Sequence, residues 1–63
     1  MSTIFIELAH KLDSLCRDIE EDLALGKVSE FGDYKFACGR YRGLLVAKNV
    51  IIEFAERLEA DDA

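Results

Sequence analysis

One break in an otherwise helical pattern is the feature that most limits the fold of this chain. The sequence contains no proline, and its only clear interruption is the segment 26–32, which has a glycine at each end. Before this segment apolar residues recur at steps of three and four, and no alternation of period two competes with them. After it, no proline interrupts residues 34–59, so one continuous helix is expected there. Two helices joined by a short loop form an αα-hairpin, so we expect an all-α, antiparallel two-helix hairpin as a single unit.

The first helix is predicted over residues 3–25. Its apolar residues lie at helical spacing: Phe5, Leu8, Leu12, Leu15, Ile19 and Leu23. Ser2 or Thr3 is the expected N-cap, because a side-chain oxygen there accepts a hydrogen bond from a free helix N–H. Gly26 is the expected C′ residue, because glycine adopts a positive φ without steric cost.

The loop is predicted over residues 26–32 and the second helix over 33–59. Asp33 is expected to cap the second helix with its side chain. Val28 and Phe31 in the loop are expected to fold back over the end of the hairpin core. The acidic tail 60–63 is expected to fray, because carboxylates are unfavourable at the negative end of a helix.

The second helix carries more apolar residues than one neighbouring helix can cover. They form one set of Tyr34, Ala37, Cys38, Tyr41, Leu45 and Ile52, and another of Leu44, Ala47, Ile51, Phe54, Ala55 and Leu58. Since a single partner covers an arc of little more than about 100°, the hairpin should assemble into a bundle or dock on a larger protein. The predicted protein interface is Tyr34, Cys38, Gly39, Tyr41, Gly43, Leu44, Ala47, Ile51, Phe54 and Leu58.

Two glycines within this helix indicate close packing. Gly39, Gly43 and Ala47 are four residues apart and therefore share a face. Each glycine inside a helix lowers the stability of that helix by about 1 kcal/mol relative to alanine. We therefore expect that these glycines allow another helix to approach closely, with a local kink as the alternative. The GxxxG spacing is not read as a membrane motif, because it lacks an apolar segment of about 20 residues around it.

Size and charge narrow the classes of function. At 63 residues and 51% hydrophobic content, the chain is too apolar to be disordered and too short for a comfortable core. Its formal charge of −5 argues against non-specific attraction to nucleic acid or anionic membranes. The first residues have no basic n-region and no long apolar run. We therefore expect an intracellular protein with no membrane partner and no small-molecule substrate.

Charge is segregated between the two helices. Acidic residues crowd the end of the first helix: Asp18, Glu20, Glu21 and Asp22. Basic residues dominate the first half of the second: Lys35, Arg40, Arg42 and Lys48. The basic set is expected to pair with the acidic set within or between chains, where exposed pairs set register more than stability. The alternative is that it contacts the phosphates of a nucleic acid.

Catalytic and metal-binding patterns are missing from the sequence. His10 is the only histidine, and Cys16 and Cys38 stand singly. A metal centre needs several ligands at recognisable spacing, and a nucleophile needs a base within reach. We therefore expect no cofactor, no metal and no enzymatic activity. Cys16 and Cys38 are expected to be free and packed in apolar surroundings, with one disulfide between the helices as the alternative.

The loop and most of the second helix resemble short helix–loop–helix proteins of tailed bacteriophages, which are about 60 residues long. The resemblance covers about half of the chain and rests on Gly26, Val28, Phe31, Tyr34, Lys35, Cys38, Gly39, Arg40, Gly43, Leu44, Ala47, Ile51 and Glu53. It implies a small, oligomeric, structural component of a virion, in the head or the head–tail connector region. The implied partners are further copies of the chain or a larger phage structural protein. The implied location is the virion, or the host cytoplasm before assembly.

Two other kinds of function stay open from the sequence. The length and two-helix plan are similar to plasmid copy-number proteins of the Rop type, which implies a dimeric RNA-binding regulator. That similarity is architectural only, and fold alone is weak evidence for function. A phage-encoded inhibitor of a host protein is the third hypothesis, in which the acidic residues of the first helix imitate nucleic acid.

Overall fold

The chain folds into two antiparallel helices that pack along each other. The computed structural model describes residues 3–62, and these form α1 (Thr3–Ala24) and α2 (Phe31–Asp62) with no strand among them. The predicted all-α helical hairpin is confirmed. The two helices make a rod of 50 × 16 × 12 Å, which is only two helices wide.

The end of α1 follows from one glycine. Gly26 has a φ of +72°, a conformation that side chains with a Cβ rarely adopt. The N–H of Gly26 donates to the carbonyl of Leu23, and the N–H of Lys27 donates to the carbonyl of Asp22. This pair of bonds is a Schellman motif with Gly26 at C′. The predicted role of Gly26 is confirmed, and Leu25 is the capping residue between the helix and the glycine.

The beginning of α2 differs from the prediction. The helix starts at Phe31, and the N–H of Tyr34 donates to the carbonyl of Glu30 at 2.9 Å. Asp33 therefore lies in the first turn, and its prediction as N-cap is wrong. Gly32 does not delay the helix, because the first N–H groups of any helix lack internal partners and a flexible residue costs little there. Asp33 still places a carboxylate near the positive end of the helix dipole.

Two further expectations about the ends of α2 are wrong. Phe31 does not cover the hairpin core, since its side chain is 75% exposed and lies beneath the ammonium of Lys35, with 5.9 Å between Nζ and the ring centroid. The acidic tail is helical as far as Asp62. Because residues 59–62 contain no glycine or proline, the unfavourable dipole contribution of about 0.3–1 kcal/mol per carboxylate does not end the helix before Asp62. Ala63 and the candidate cap Ser2 lie outside the described residues.

Three contacts fix the register of the two helices. The rings of Phe5 and Phe54 meet edge to face, with 6.2 Å between centroids. Lys48 Nζ lies 3.2 Å from Asp13 Oδ1, and the Tyr41 hydroxyl donates to Glu20 Oε1. From Asp13 to Glu20 the numbering rises by seven, while from Lys48 to Tyr41 it falls by seven. The helices are therefore antiparallel, and the last residues of α2 extend beyond the level of Thr3.

The core between the helices is thin. Among residues 3–61, for which side-chain burial is described, the buried residues are Cys16, Ile19, Ala37 and Ala55. Two of these are alanines, which remove little apolar surface from water. Below about 70–80 residues a single core rarely stabilises a fold without disulfides, metals or oligomerisation. The contact between α1 and α2 therefore leaves much of the apolar surface of this chain in solvent.

Candidate interaction surface

One side of α2 is apolar and largely exposed, and of its large side chains Phe54 also touches Phe5 of α1. We define the open face of α2 as Phe36, Gly39, Gly43, Val46, Ala47, Val50, Phe54 and Leu58. These residues follow one another at steps of three, four or one, so they lie on one side of the helix over about six turns. The five large side chains among them are 40% to 69% exposed. Exposed apolar patches of this kind mark interaction sites in soluble proteins.

Two glycines form a flat region in the middle of the open face. Gly39 and Gly43 are both exposed, and a Cβ added to either would meet nothing within 4 Å. No part of the described chain therefore approaches the backbone at these positions. The close packing that the sequence predicts at Gly39 and Gly43 is not made by α1, and it stays a prediction for a partner.

The opposite side of α2 contacts α1 through a few specific bonds. Lys48 and Asp13 have side chains that are 26% and 33% exposed, so their ion pair is partly shielded from solvent. The hydrogen bond from Lys48, together with the charge of Arg17 at 2.8 Å, holds the pKa of Asp13 below its usual value despite partial desolvation. The hydrogen bond to Glu20 raises the pKa of Tyr41. These bonds determine which side of α2 is left open.

The predicted interface residues do not share one face. Tyr41, Leu44 and Ile51 are half-buried on the side of α2 that packs against α1. Tyr34 and Cys38 lie one turn apart on a third side, where a hydrogen bond between them raises the pKa of the Tyr34 phenol. The remaining five residues belong to the open face: Gly39, Gly43, Ala47, Phe54 and Leu58.

Three large residues of the open face are absent from the interface predicted from the sequence. Phe36, Val46 and Val50 are all more than half exposed, and none of them is in the predicted interface. The signal was present in the spacing, because the steps between Phe36, Gly39, Gly43, Val46 and Val50 are three, four, three and four. This spacing is typical of a helix–helix seam. Because two of the five positions in this seam are glycines, the seam contains few large apolar residues and is not recognised from hydrophobicity.

The four basic residues in the first half of α2 lie on different sides of the helix. Lys48 is paired with Asp13 rather than with the acidic cluster at the end of α1. Lys35 and Arg42 are exposed on a narrow polar strip beside the open face, and Asn49 lies on the same strip. Arg40 lines a shallow pocket of about 220 Å³ near the loop, together with Asp22 and Asp33. The expected pairing of the whole basic set with the acidic cluster is therefore not seen among residues 3–62.

The remaining features of the described chain concern metals, membranes and thiols. No group of three or more His, Cys, Asp or Glu residues within positions 3–62 is placed to hold a metal ion. In the same part of the chain neither helix is long and apolar enough to cross a membrane. Cys16 is buried, Cys38 is half-buried, and both thiols are free.

Comparison with known proteins identifies no relative. No protein-family model matches the chain, and no curated protein or solved structure matches it either.

Proposed function

We propose that this chain is a non-enzymatic helix–helix interaction protein that acts through the open face of α2. The observation that carries the proposal is the exposure of Phe36, Val46, Val50 and Phe54 along one side of a continuous helix. Burying a large apolar side chain gains about 1.5–3 kcal/mol relative to full exposure. With each of these side chains already about half covered, their burial against a partner would still contribute several kcal/mol in total.

We further propose that the setting is the virion of a tailed phage, in the head or the head–tail connector region. This part of the proposal is supported by the resemblance of residues 26–53 to small phage proteins. The open face lies largely within the same segment. A repeated, small helical component that docks through one apolar face fits such an assembly.

The experiment that tests this function is quantitative mass spectrometry of purified phage particles. We expect the wild-type chain at a fixed copy number per particle. Val50→Asp places a charge in the middle of the open face and should lower the copy number at least about tenfold, because burying an unpaired carboxylate is costly. Asn49→Asp is the matched control, since it adds the same charge one residue away on the polar strip. We expect it to leave the copy number unchanged.

Two results would contradict the proposal. One is absence of the wild-type chain from particles, which is also the outcome that a regulator or a host inhibitor predicts. The other is incorporation of Val50→Asp at the wild-type level. Circular dichroism of the purified wild-type chain and of Val50→Asp shows whether each hairpin has folded.

An RNA-binding regulator is less well supported by the geometry. Phosphate binding uses several basic side chains that converge on one groove or strip. Here Lys48 is engaged by Asp13, and Arg40 shares its pocket with Asp22 and Asp33. Only Lys35 and Arg42 remain together. A gel shift that weakens steeply with salt at micromolar protein would nevertheless favour the RNA-binding hypothesis over ours.

A further inference from the structure

We infer that a second copy of this chain covers the open face, with the two α2 helices antiparallel. This inference rests on the proposed function, because it identifies the occupant of the same surface. It specifies a two-fold axis that passes between Val46 and Ala47. The two α1 helices then lie on the outer sides of the α2 pair.

The sizes of the side chains on the open face are complementary about this axis. The first half of the face holds Gly39 and Gly43, and the second half holds Val50 and Phe54. In the antiparallel pair Gly43 faces Val50 of the second copy, and Gly39 faces Phe54. Val50 and Phe54 then fill the open space above these glycines, where a Cβ would meet nothing within 4 Å in the isolated hairpin. A parallel pair would instead set glycine against glycine and Phe54 against Phe54.

The charges of α2 are complementary about the same axis. Its first half, residues 31–48, has four basic residues and one acidic residue, and its second half, residues 49–62, has five acidic residues and one basic residue. In the antiparallel pair the basic half of each helix lies beside the acidic half of the other. A parallel pair would place like charges together, which is destabilising.

A second copy explains both features with a single arrangement. Side-chain size and charge vary along α2 independently, yet both are matched by the register that pairs Gly43 with Val50. A symmetric dimer requires such self-complementarity, because the same patch is used on both subunits. An unrelated partner would require neither the match in size nor the match in charge.

The first test is the oligomeric state, measured by sedimentation equilibrium. We expect a dimer for the wild-type chain. Gly43→Leu should raise the dissociation constant at least about 100-fold, because the two-fold axis makes each clash occur twice. Asn49→Leu adds the same side chain to the polar strip and should leave the dimer intact. The double variant Gly43→Val with Val50→Gly exchanges the facing residues and should restore association. A wild-type chain that is monomeric at about 1 mM would overturn the inference.

The second test is the orientation of the two copies. In a background in which Cys16 and Cys38 are replaced by alanine, Ala47→Cys lies close to the axis and should form a disulfide-linked dimer on oxidation. Phe36→Cys should not, because its two copies are separated by about 30 Å along the antiparallel pair, whereas a disulfide needs Cα atoms within about 7 Å. Efficient cross-linking through Phe36→Cys would show a parallel pair and overturn the inference.

These tests separate failure of the inference from failure of the proposed function. A chain that is monomeric in solution but present in particles at a fixed copy number overturns the dimer and leaves the interaction role standing. A dimer with the expected cross-links that is absent from particles overturns the proposed virion role and leaves the dimer standing.

Discussion

Gly26 is the residue on which the turn between the helices depends. Its φ of +72° lies in the left-handed region, and its N–H closes one of the two bonds of the Schellman motif. Gly26→Ala should therefore lower the free energy of unfolding by about 1–2 kcal/mol, measured by urea denaturation, because a Cβ is strained in this conformation. Gly32→Ala is the control. It lies in the first turn of α2 with open space around its Cα, so it should leave stability unchanged or raise it by up to about 1 kcal/mol. Equal losses for both variants would contradict this explanation.

Asp13 connects the two helices and makes the stability of the hairpin depend on pH. Its hydrogen bond from Lys48 lowers the pKa of the folded state below the ordinary value of 3.8. A carboxylate with a lowered folded-state pKa stabilises the fold above its unfolded-state pKa, and this contribution is lost as pH falls through the folded-state pKa. Asp13→Asn should therefore be less stable than wild type at about pH 6, and the difference should shrink at about pH 3.

Urea denaturation at both pH values measures this effect. Asp18→Asn is the matched control, because Asp18 is an exposed carboxylate on the same helix with no ion pair among residues 3–62. It removes the same charge without removing the bond to Lys48. A stability difference for Asp13→Asn that is the same at both pH values would contradict the assigned role.

The two helices α1 and α2 differ in how many of their sides are apolar. The buried residues of α1, Cys16 and Ile19, lie on one side, and that side meets α2. In α2 one side holds Ala37 and Ala55 against α1, and another holds Phe36, Val46 and Val50 largely in solvent. A helix that is apolar on more than one side is normally buried on more than one side. We therefore expect α2, the longer helix, to pack against a second helix in addition to α1.

Gly39→Ala separates the intrinsic stability of α2 from its packing. In a dilute solution of monomers the substitution should raise the free energy of unfolding by about 0.5–1 kcal/mol, because alanine favours a helix and its Cβ meets open space. At high concentration it should weaken self-association, because the methyl group occupies space that Phe54 of a second copy would fill. Thermal unfolding across a range of concentrations, with Asn49→Ala as the control for helix propensity, measures both effects. Stronger association of Gly39→Ala would contradict the proposed register.

The whole molecule is a rod with two helices across its width and no third layer among the described residues. Ile19 is the largest of its buried side chains. Such a hairpin gains only part of the stabilisation that its apolar residues could provide, and the rest is available only through association. The small size of the chain, its thin core and the open face of α2 are therefore consequences of one arrangement.

Most of the fold was predictable because its determinants are local. The spacing of apolar residues and the glycine at position 26 specify two helices and the turn between them. The start of α2 was missed because Asp33 has a side chain that often caps a helix. The helix in fact begins two residues earlier, at Phe31. The exposure of Phe31 was missed because a large apolar residue in a predicted loop is expected to pack against the core.

Less of the candidate surface was predictable, because it is defined by what α1 leaves uncovered. Tyr41, Leu44 and Ile51 read as interface residues in the sequence, and α1 covers them in part. Phe36, Val46 and Val50 were passed over because Gly39 and Gly43 break the apolar pattern between them. Periodicity shows how many apolar sides a helix has, but it does not show which side an adjacent helix occupies.

Two helices, the turn at Gly26 and the surplus of apolar residues on the second helix all follow from the order of residues along the chain. These properties depend on backbone conformation and on residue spacing, which act over a few neighbouring positions. The side of α2 on which α1 packs, which carries Tyr41 and Lys48, is instead set by contacts between residues far apart in the chain. These contacts are the bonds to Glu20 and Asp13 and the contact of Phe5 with Phe54. That choice leaves Gly39, Gly43 and their large apolar neighbours open to a partner.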